Sequence, residues 1–366
     1  MITFKFCFGS RQRNIRKLTG ISLLTCLLVI LYYNNRIDHF ISGSRNRVTN
    51  EDKLKSTELI FKKVLIAVPS VLSRVEERRA VRESWGDFSS WPNCEVNLKL
   101  VFYVGNPKDE GERNILRNEL REFGDLELLN FTEGYYGLTE KTKLIIQSVA
   151  HKAQLDEISF DYLIKTDDDT FVNIPLICAN FANFGQANVY GGNCHMNSVP
   201  YRKTSKTYNP KFIVTSEEYS RNSYPPHCEG AFYYMSKDLV SKLSSVGFKN
   251  GQYLKFEDVY VGLAFEAAGV TFRELEKRNY NYYFLFSFQK TSGFEIGYST
   301  SFLKFIWAFH PVITLNRLKE MHQTTISVHT RLRKEGVNIL SEDEDFSSKV
   351  QRWLLRKPEP IRYQPK

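Results

Sequence analysis

The chain lacks the marks of several large functional classes. Its 366 residues hold no paired CxxC, no RNP-type signature and no block in which basic and aromatic residues interleave. The first absence argues against a zinc knuckle, and the other two against nucleic-acid recognition. Internal repeats and low-complexity blocks are missing as well, so a solenoid or a scaffold of biased composition is excluded. Basic residues exceed acidic ones, for a net charge of +9, but they are scattered rather than gathered in runs. That balance suits an acidic or phosphorylated partner without specifying one. With 42% hydrophobic and 14% aromatic residues the chain is not disordered, and its length allows one large or two modest domains.

Cysteine is sparse: Cys7, Cys26, Cys94, Cys178, Cys194 and Cys228. The first two lie in or before an apolar N-terminal run. The other four are an even number, compatible with two disulfides in an oxidising lumen, and a Cys194–Cys228 bridge would close the loop between them. The alternative for that pair is two free buried thiols. The N-terminal run, Leu18 to Tyr33, is uncharged and follows Lys5, Arg11, Arg13, Arg16 and Lys17. An A-x-A-like cleavage site is absent, which favours a retained anchor over a signal peptide. The run is short against the roughly 20 residues of a typical span, a length that thin early-secretory membranes tolerate. The basic flank places residues 1–17 in the cytosol, with 18–33 as a type II signal anchor and 34–62 as a polar luminal stem. The expected catalytic domain is 63–335, and 336–366 forms a tail.

From Lys63 strands and helices alternate. Val64–Val68 is an all-apolar run ended by Pro69, Glu76–Trp85 a basic helix, and Leu98–Val104 a second strand. Glu110–Phe123 is an amphipathic helix, Leu126–Phe131 a third strand, Leu138–Ala153 another helix, and Tyr162–Thr166 a short buried strand. This order predicts an α/β domain with a mostly parallel sheet. Further on, Val189–Gly192 reads as a strand ending in a tight turn and Pro200–Pro226 as a long surface loop. Phe232–Met235 is a strand, with Ser236 capping a helix to Val246. Phe256–Ala268 is a helix, and Val270–Leu275 a strand.

Three aspartates, Asp167, Asp168 and Asp169, follow the strand that begins at Tyr162, at the edge where such sheets bind ligands. Carboxylates this close raise one another's pKa, so a cation is needed to keep them ionised. Asp167 and Asp169 point to one side of an extended backbone, and oxygen ligands so placed suit Mn²⁺ or Mg²⁺. The alternative is a solvated acidic turn. Arg78, Arg79 and Arg82 share one helix, as diphosphate forks or as a solvated face paired with Glu76, Glu77 and Glu83. Glu257-Asp258 opens a helix, as a general base or as a favourable charge at the dipole's positive end. His310 sits among apolar residues, where histidine is more often a hydrogen-bonded core residue than a ligand. Asn130-Phe131-Thr132 is the one glycosylation sequon, meaningful if the domain is luminal.

Taken together, these segments resemble the β1,3-galactosyltransferase / β1,3-N-acetylglucosaminyltransferase family of Golgi type II enzymes. The matching pieces, in order, are Arg79–Gly86 (RAVRESWG), Tyr136–Thr142 (YGLTEKT), Lys165–Asn173 (KTDDDTFVN), Tyr224–Cys228 (YPPHC) and Glu257–Gly262 (EDVYVG), within about residues 63 to 315. The resemblance implies a GT-A-like nucleotide-sugar-binding fold and inverting transfer from a UDP-sugar. It makes Asp169 the principal metal ligand, helped by Asp167 and with His310 near the metal, and Asp258 the base beside Glu257. Arg79, Arg82, Lys165, Asp167 and Asp168 would serve the nucleotide-sugar. The expected reaction is galactose transfer from UDP-galactose with Mn²⁺ or Mg²⁺, in β1,3 linkage, to a glycan on protein or lipid. UDP-N-acetylglucosamine is the alternative donor, and a non-catalytic sugar-binding relative the alternative class. The expected setting is the Golgi membrane, without nucleic acid and with a homodimer left open. Where many members carry Ser-Gly-Gly-Gly after the cysteine, this chain reads Glu229-Gly230-Ala231-Phe232-Tyr233, adding bulk and charge to the pocket.

Overall fold

The computed structural model describes residues 61–336, apart from 135–136, 183, 186, 204–209, 271–282, 287–305, 311 and 313. The expected anchor at 18–33, nearly all of the stem, the tail beyond 336 and residues 271–275 of the last expected strand lie outside the described residues. Among the described residues no helix is long and apolar enough to cross a membrane.

The chain enters with β1 (Lys62–Pro69), whose five-residue run Val64–Val68 is buried throughout. Then come α1 (Val75–Arg82), β2 (Val96–Val104), α2 (Glu110–Glu122), β3 (Leu126–Leu128), α3 (Leu138–Gln154) and β4 (Tyr162–Thr166). β1 pairs in parallel with β2 and with β4, and β2 pairs in parallel with β3. This is the arrangement that strand–helix alternation dictates, since a parallel neighbour needs a crossover. β5 (Phe171–Val172), α4 (Ile174–Phe181), β6 (Tyr190–His195) and β7 (His227–Ser236) follow, then α5 (Lys237–Lys242) and α6 (Glu257–Ala267). β8 (Tyr283–Phe286), β9 (Ile306–His310) and α7 (Leu315–Lys334) complete the order. The main sheet runs β3-β2-β1-β4-β7-β6, mostly parallel, with β7 antiparallel to both its neighbours. A small second sheet runs β5-β9-β8.

Alternation of side chains along the strands divides the core into two layers. Val64, Ile66, Val68, Tyr162, Ile164, Phe232 and Tyr234 pack on α1, α4 and α7 through Ala80, Val81, Phe181, Leu318 and Met321. Leu65, Ala67, Leu163, Tyr233 and Met235 pack on α3, α5 and α6 through Ile145, Val149, Leu239, Tyr260 and Ala264. Both faces of the central strands are therefore apolar, and the strands read as continuous hydrophobic runs. Full burial of each such side chain contributes on the order of 1.5–3 kcal/mol before conformational entropy is counted.

β7 and α1 differ from expectation in ways that shape the site. β7 begins at His227 rather than Phe232, because its polar first half is held by pairing with β6 and by the Cys194–Cys228 disulfide. α1 ends at Arg82, three residues early, and the freed Trp85 turns inward to donate from Nε1 to the Thr170 carbonyl at 2.8 Å. The second disulfide, Cys94–Cys178, ties the segment before β2 to α4. Loop-closure entropy gives each bridge roughly 4 kcal/mol of stabilisation.

Arg78 is fully buried on α1. It grips Glu119 of α2 with Nε at 3.0 Å and Nη2 at 2.5 Å, and donates to the Val71 and Leu72 carbonyls at 2.5 and 3.0 Å. Arg78→Met would leave the Val71 and Leu72 carbonyls without this donor and the Glu119 carboxylate with Arg82 alone, 2.8 Å away. We expect a loss of roughly 3–5 kcal/mol in denaturant unfolding, and a loss under about 1 kcal/mol would show the ion pair to be dispensable.

Candidate active site at the carboxyl ends of the strands

The turn joining β4 to β5 carries the three aspartates. Thr170 N donates to the Asp167 carbonyl at 3.2 Å, and Asp167 N donates to the Ala231 carbonyl of β7 at 3.3 Å. The Asp169 carbonyl accepts from Val312 N at 2.7 Å, which ties the turn to the segment after β9. Backbone bonds thus fix the turn from which the three carboxylates project.

Asp168 points inward. Its Oδ2 accepts from Ser70 Oγ at 2.7 Å and Arg74 Nε at 2.9 Å, and its Oδ1 lies 2.8 Å from Arg74 Nη2. Burial nevertheless raises its pKa against the pull of Arg74 and Ser70. Asp167 and Asp169 face His310 at the end of β9, whose Nε2 lies 3.2 Å from Asp169 Oδ1 and 4.0 Å from Asp167 Oδ2. One ligand atom from each of these three residues lies within 4.8 Å of the others. Burial lowers the His310 pKa, but the hydrogen bond and charge of Asp169 outweigh it and the net shift is upward. Asp169 moves the opposite way: burial raises its carboxyl, and His310 with Arg74 brings it below the ordinary value. Two carboxylates and an imidazole on one small surface are a donor set that suits Mn²⁺ or a similar divalent ion.

Lys165, fully buried near the end of β4, bridges this group to the next. Its Nζ donates to Asp167 Oδ1 at 2.6 Å and to the Gly230 carbonyl at 2.5 Å, and lies 3.8 Å from Glu257 Oε2. Burial opposes its charge, but Asp167 and Glu257 more than restore it. Glu257 opens α6 with its side chain buried, and its Oε1 accepts from Tyr233 Oη at 2.7 Å. A Cβ on Gly230 would stand 2.5 Å from Glu257 Oε2, so only glycine lets β7 pass so close. Asp258 is half-buried, and its Oδ1 accepts from Val259 N at 2.8 Å. Burial pushes Glu257 up to about 7, with Lys165 opposing and Asp258 adding to the rise.

The Glu257 shift sets a pH dependence. Unfolded, its carboxyl ionises near 4.5; folded, it keeps its proton to about 7. Its stabilising contribution is therefore complete below pH 4.5 and is lost as pH rises through 7. Glu257→Gln should remove a fall in unfolding free energy of roughly 3 kcal/mol between about pH 5 and 8. Denaturant midpoints across that range measure it, and identical slopes in the two proteins would refute it.

The expected arginines lie elsewhere. Arg82 gives Nε and Nη2 to Asp125 at 2.8 and 2.7 Å, and Nη2 to Glu119 at 2.8 Å, with its guanidinium 4.0 Å from the Phe123 ring centroid. Arg79 is exposed and pairs with Glu76 at 3.2 Å. It is Arg74, at the start of α1, that the structure brings to the aspartates. Neither Arg74 nor Ser70 stood out in the sequence, because a loop residue with no periodicity offers no signal. Tyr233, inside an apolar strand, was equally silent. β7 also carries Glu229, whose Oε1 lies 2.7 Å from His195 Nε2 of β6.

A profile of the family described as Galactosyltransferase matches residues 76–276, more than half of the chain. The chain belongs to the galactosyltransferase family. It is 28% identical over 216 residues to beta-1,3-galactosyltransferase 5 of Pan paniscus, covering 59% of this chain and 68% of that one. It is 29% identical over 209 residues to human N-acetyllactosaminide beta-1,3-N-acetylglucosaminyltransferase 4, covering 57% of this chain and 53% of that one. Over 221 residues it is 29% identical to human UDP-GalNAc:beta-1,3-N-acetylgalactosaminyltransferase 1, covering 59% and 63%. The chain is a hexosyltransferase of the β1,3-glycosyltransferase kind, and its relatives differ in the sugar their names carry. Its mixed α/β architecture with a mostly parallel sheet is consistent with a GT-A-like fold.

Proposed function

We propose that this protein transfers galactose from UDP-galactose, with inversion and in β1,3 linkage, to a glycan acceptor on protein or lipid. The observation that carries this reading is the meeting of Asp167, Asp169 and His310 at the carboxyl end of β4. Those three residues would hold Mn²⁺ or Mg²⁺. A divalent ion there supplies Lewis-acid neutralisation of the charge on the departing diphosphate. Asp258, half-buried where α6 begins, takes the proton of the acceptor's 3-hydroxyl as that oxygen attacks the anomeric carbon. A single base with in-line displacement inverts the configuration. Lys165 is pinned by Asp167, Gly230 and Glu257 and carries positive charge to the donor side. Arg74 and Ser70 hold Asp168 away from the ion.

The disulfides, together with the basic flank and apolar run at 18–33, support a luminal domain anchored in the Golgi membrane. UDP-N-acetylglucosamine is the second donor reading, favoured by the relative whose name carries that sugar. The test is transfer by the full chain from UDP-galactose, UDP-N-acetylglucosamine and UDP-N-acetylgalactosamine in turn. Simple β-linked acceptors are supplied with Mn²⁺ or with EDTA. We expect metal-dependent transfer from UDP-galactose. Folded protein that neither transfers nor hydrolyses any of the three donors would overturn the reading in favour of a non-catalytic relative.

A further inference from the structure

The long segment between β6 and β7 is organised from within. Arg202 donates to the carbonyls of Val214, Thr215, Tyr219 and Arg221 at 2.9, 2.8, 2.7 and 3.0 Å. Beneath it, Val214, Tyr219 and Tyr224 form a small core with Leu254, Val259 and Leu263 of the α6 region, and Phe256 packs against this core. Among the described residues of the segment, two aromatic rings remain outside it: Tyr201 is 45% exposed and Phe212 is 42% exposed. Their centroids lie 6.4 Å apart, and Phe212 lies 6.2 Å from Phe256. Phe256 immediately precedes Glu257-Asp258. Phe212 therefore neighbours both Tyr201 and Phe256, and this row of three rings begins beside the start of α6.

Neighbouring aromatic rings left partly in water mark a surface that something covers, and Phe256 stands two residues before Asp258 in the chain. A hexopyranose presents one face of C–H bonds, which an aromatic face can cover, while its hydroxyls stay in water. Each ring-to-ring step is comparable with the length of one sugar residue. The ammonium groups of Lys211 and Lys255 stand over the Phe212 and Phe256 rings, 5.7 Å from each centroid, and Lys255 also pairs with Glu218 at 2.9 Å. We propose that Phe256, Phe212 and Tyr201 form the acceptor platform, taking the sugar residues on the reducing side of the one that is glycosylated. This rests on the assignment of Asp258 as the base. It makes an oligosaccharide, rather than a single hexose, the preferred acceptor.

Phe212→Ala and Tyr201→Ala test it without entering the core. In transfer assays we expect each to raise KM for methyl β-lactoside about 5- to 10-fold. KM for methyl β-galactoside, KM for the donor and UDP-sugar hydrolysis without acceptor should all stay within about twofold, and Phe212→Tyr should restore the lost affinity. In parallel, saturation-transfer NMR with UDP and Mn²⁺ present reads binding of methyl β-lactoside directly. Binding to the wild type that the variants lose sustains the platform even if no donor is transferred, so the two readings fail separately. Unchanged lactoside KM or binding in both variants, equal losses for mono- and disaccharide, or a rise in donor KM would each overturn the platform. So would failure of the wild type to bind methyl β-lactoside at all.

Discussion

Replacing Asp169 by alanine will abolish the gain in UDP affinity that Mn²⁺ confers, and will leave the fold intact. Asp169 gives the turn its carbonyl, which Val312 N holds, and that backbone bond survives truncation. The carboxylate itself is about one-third exposed and its close partner is His310 at 3.2 Å. What the substitution removes is one of three converging ligands and the charge that keeps His310 facing it. Cations of this kind are held by charge and ligand number, so going from three protein ligands to two should weaken Mn²⁺-dependent UDP binding at least about 100-fold. Titration of UDP into the variant with Mn²⁺ and with EDTA measures the loss, and thermal unfolding monitors the fold. Were Mn²⁺ to strengthen UDP binding equally in both proteins, the ion would have to sit elsewhere.

Asp258→Asn should separate binding from chemistry. The amide is nearly isosteric, and its Oδ1 can still accept from Val259 N. An amide cannot take the acceptor's proton, however, and a positioned base contributes about 10²–10⁴ in rate. We expect kcat to fall by that factor with donor KM and UDP affinity unchanged. Glu257 cannot substitute. It is buried, held by Tyr233 and Lys165, and keeps its own proton to about pH 7. Transfer at the wild-type rate by Asp258→Asn would remove Asp258 from the reaction.

The parallel half of the sheet was legible residue by residue, since Val64–Val68 and Tyr162–Ile164 are apolar on both faces, and their shortness, with Pro69 ending the first, marks doubly covered strands rather than buried helices. The polar half of β7 and the whole of α7 were not. His227–Ala231 is a strand because β6 pairs with it, and α7 buries His322, Thr325 and His329 among apolar residues, a face that hydrophobic periodicity does not mark. The aspartate turn and Glu257-Asp258 announced themselves by charge density at element boundaries. The arginines could not be told apart, because side chains three or four apart on one helix look equivalent in sequence. Tertiary contacts then send Arg78 into the core, Arg82 to Asp125 and Glu119, and Arg79 to Glu76.

By itself the sequence determined the strand–helix order, and with it a parallel sheet whose carboxyl edge carries acidic residues, because periodicity and short-range spacing are local properties of the chain. Which acidic oxygens share a face, which cation reaches them, and which aromatic rings stand outside the core are distances between residues far apart in sequence. Asp169 and His310 meet only because β5 pairs with β9, and Tyr201, Phe212 and Phe256 meet only because Arg202 ties the long loop to itself while Val214, Tyr219 and Tyr224 pack on Leu254, Val259 and Leu263.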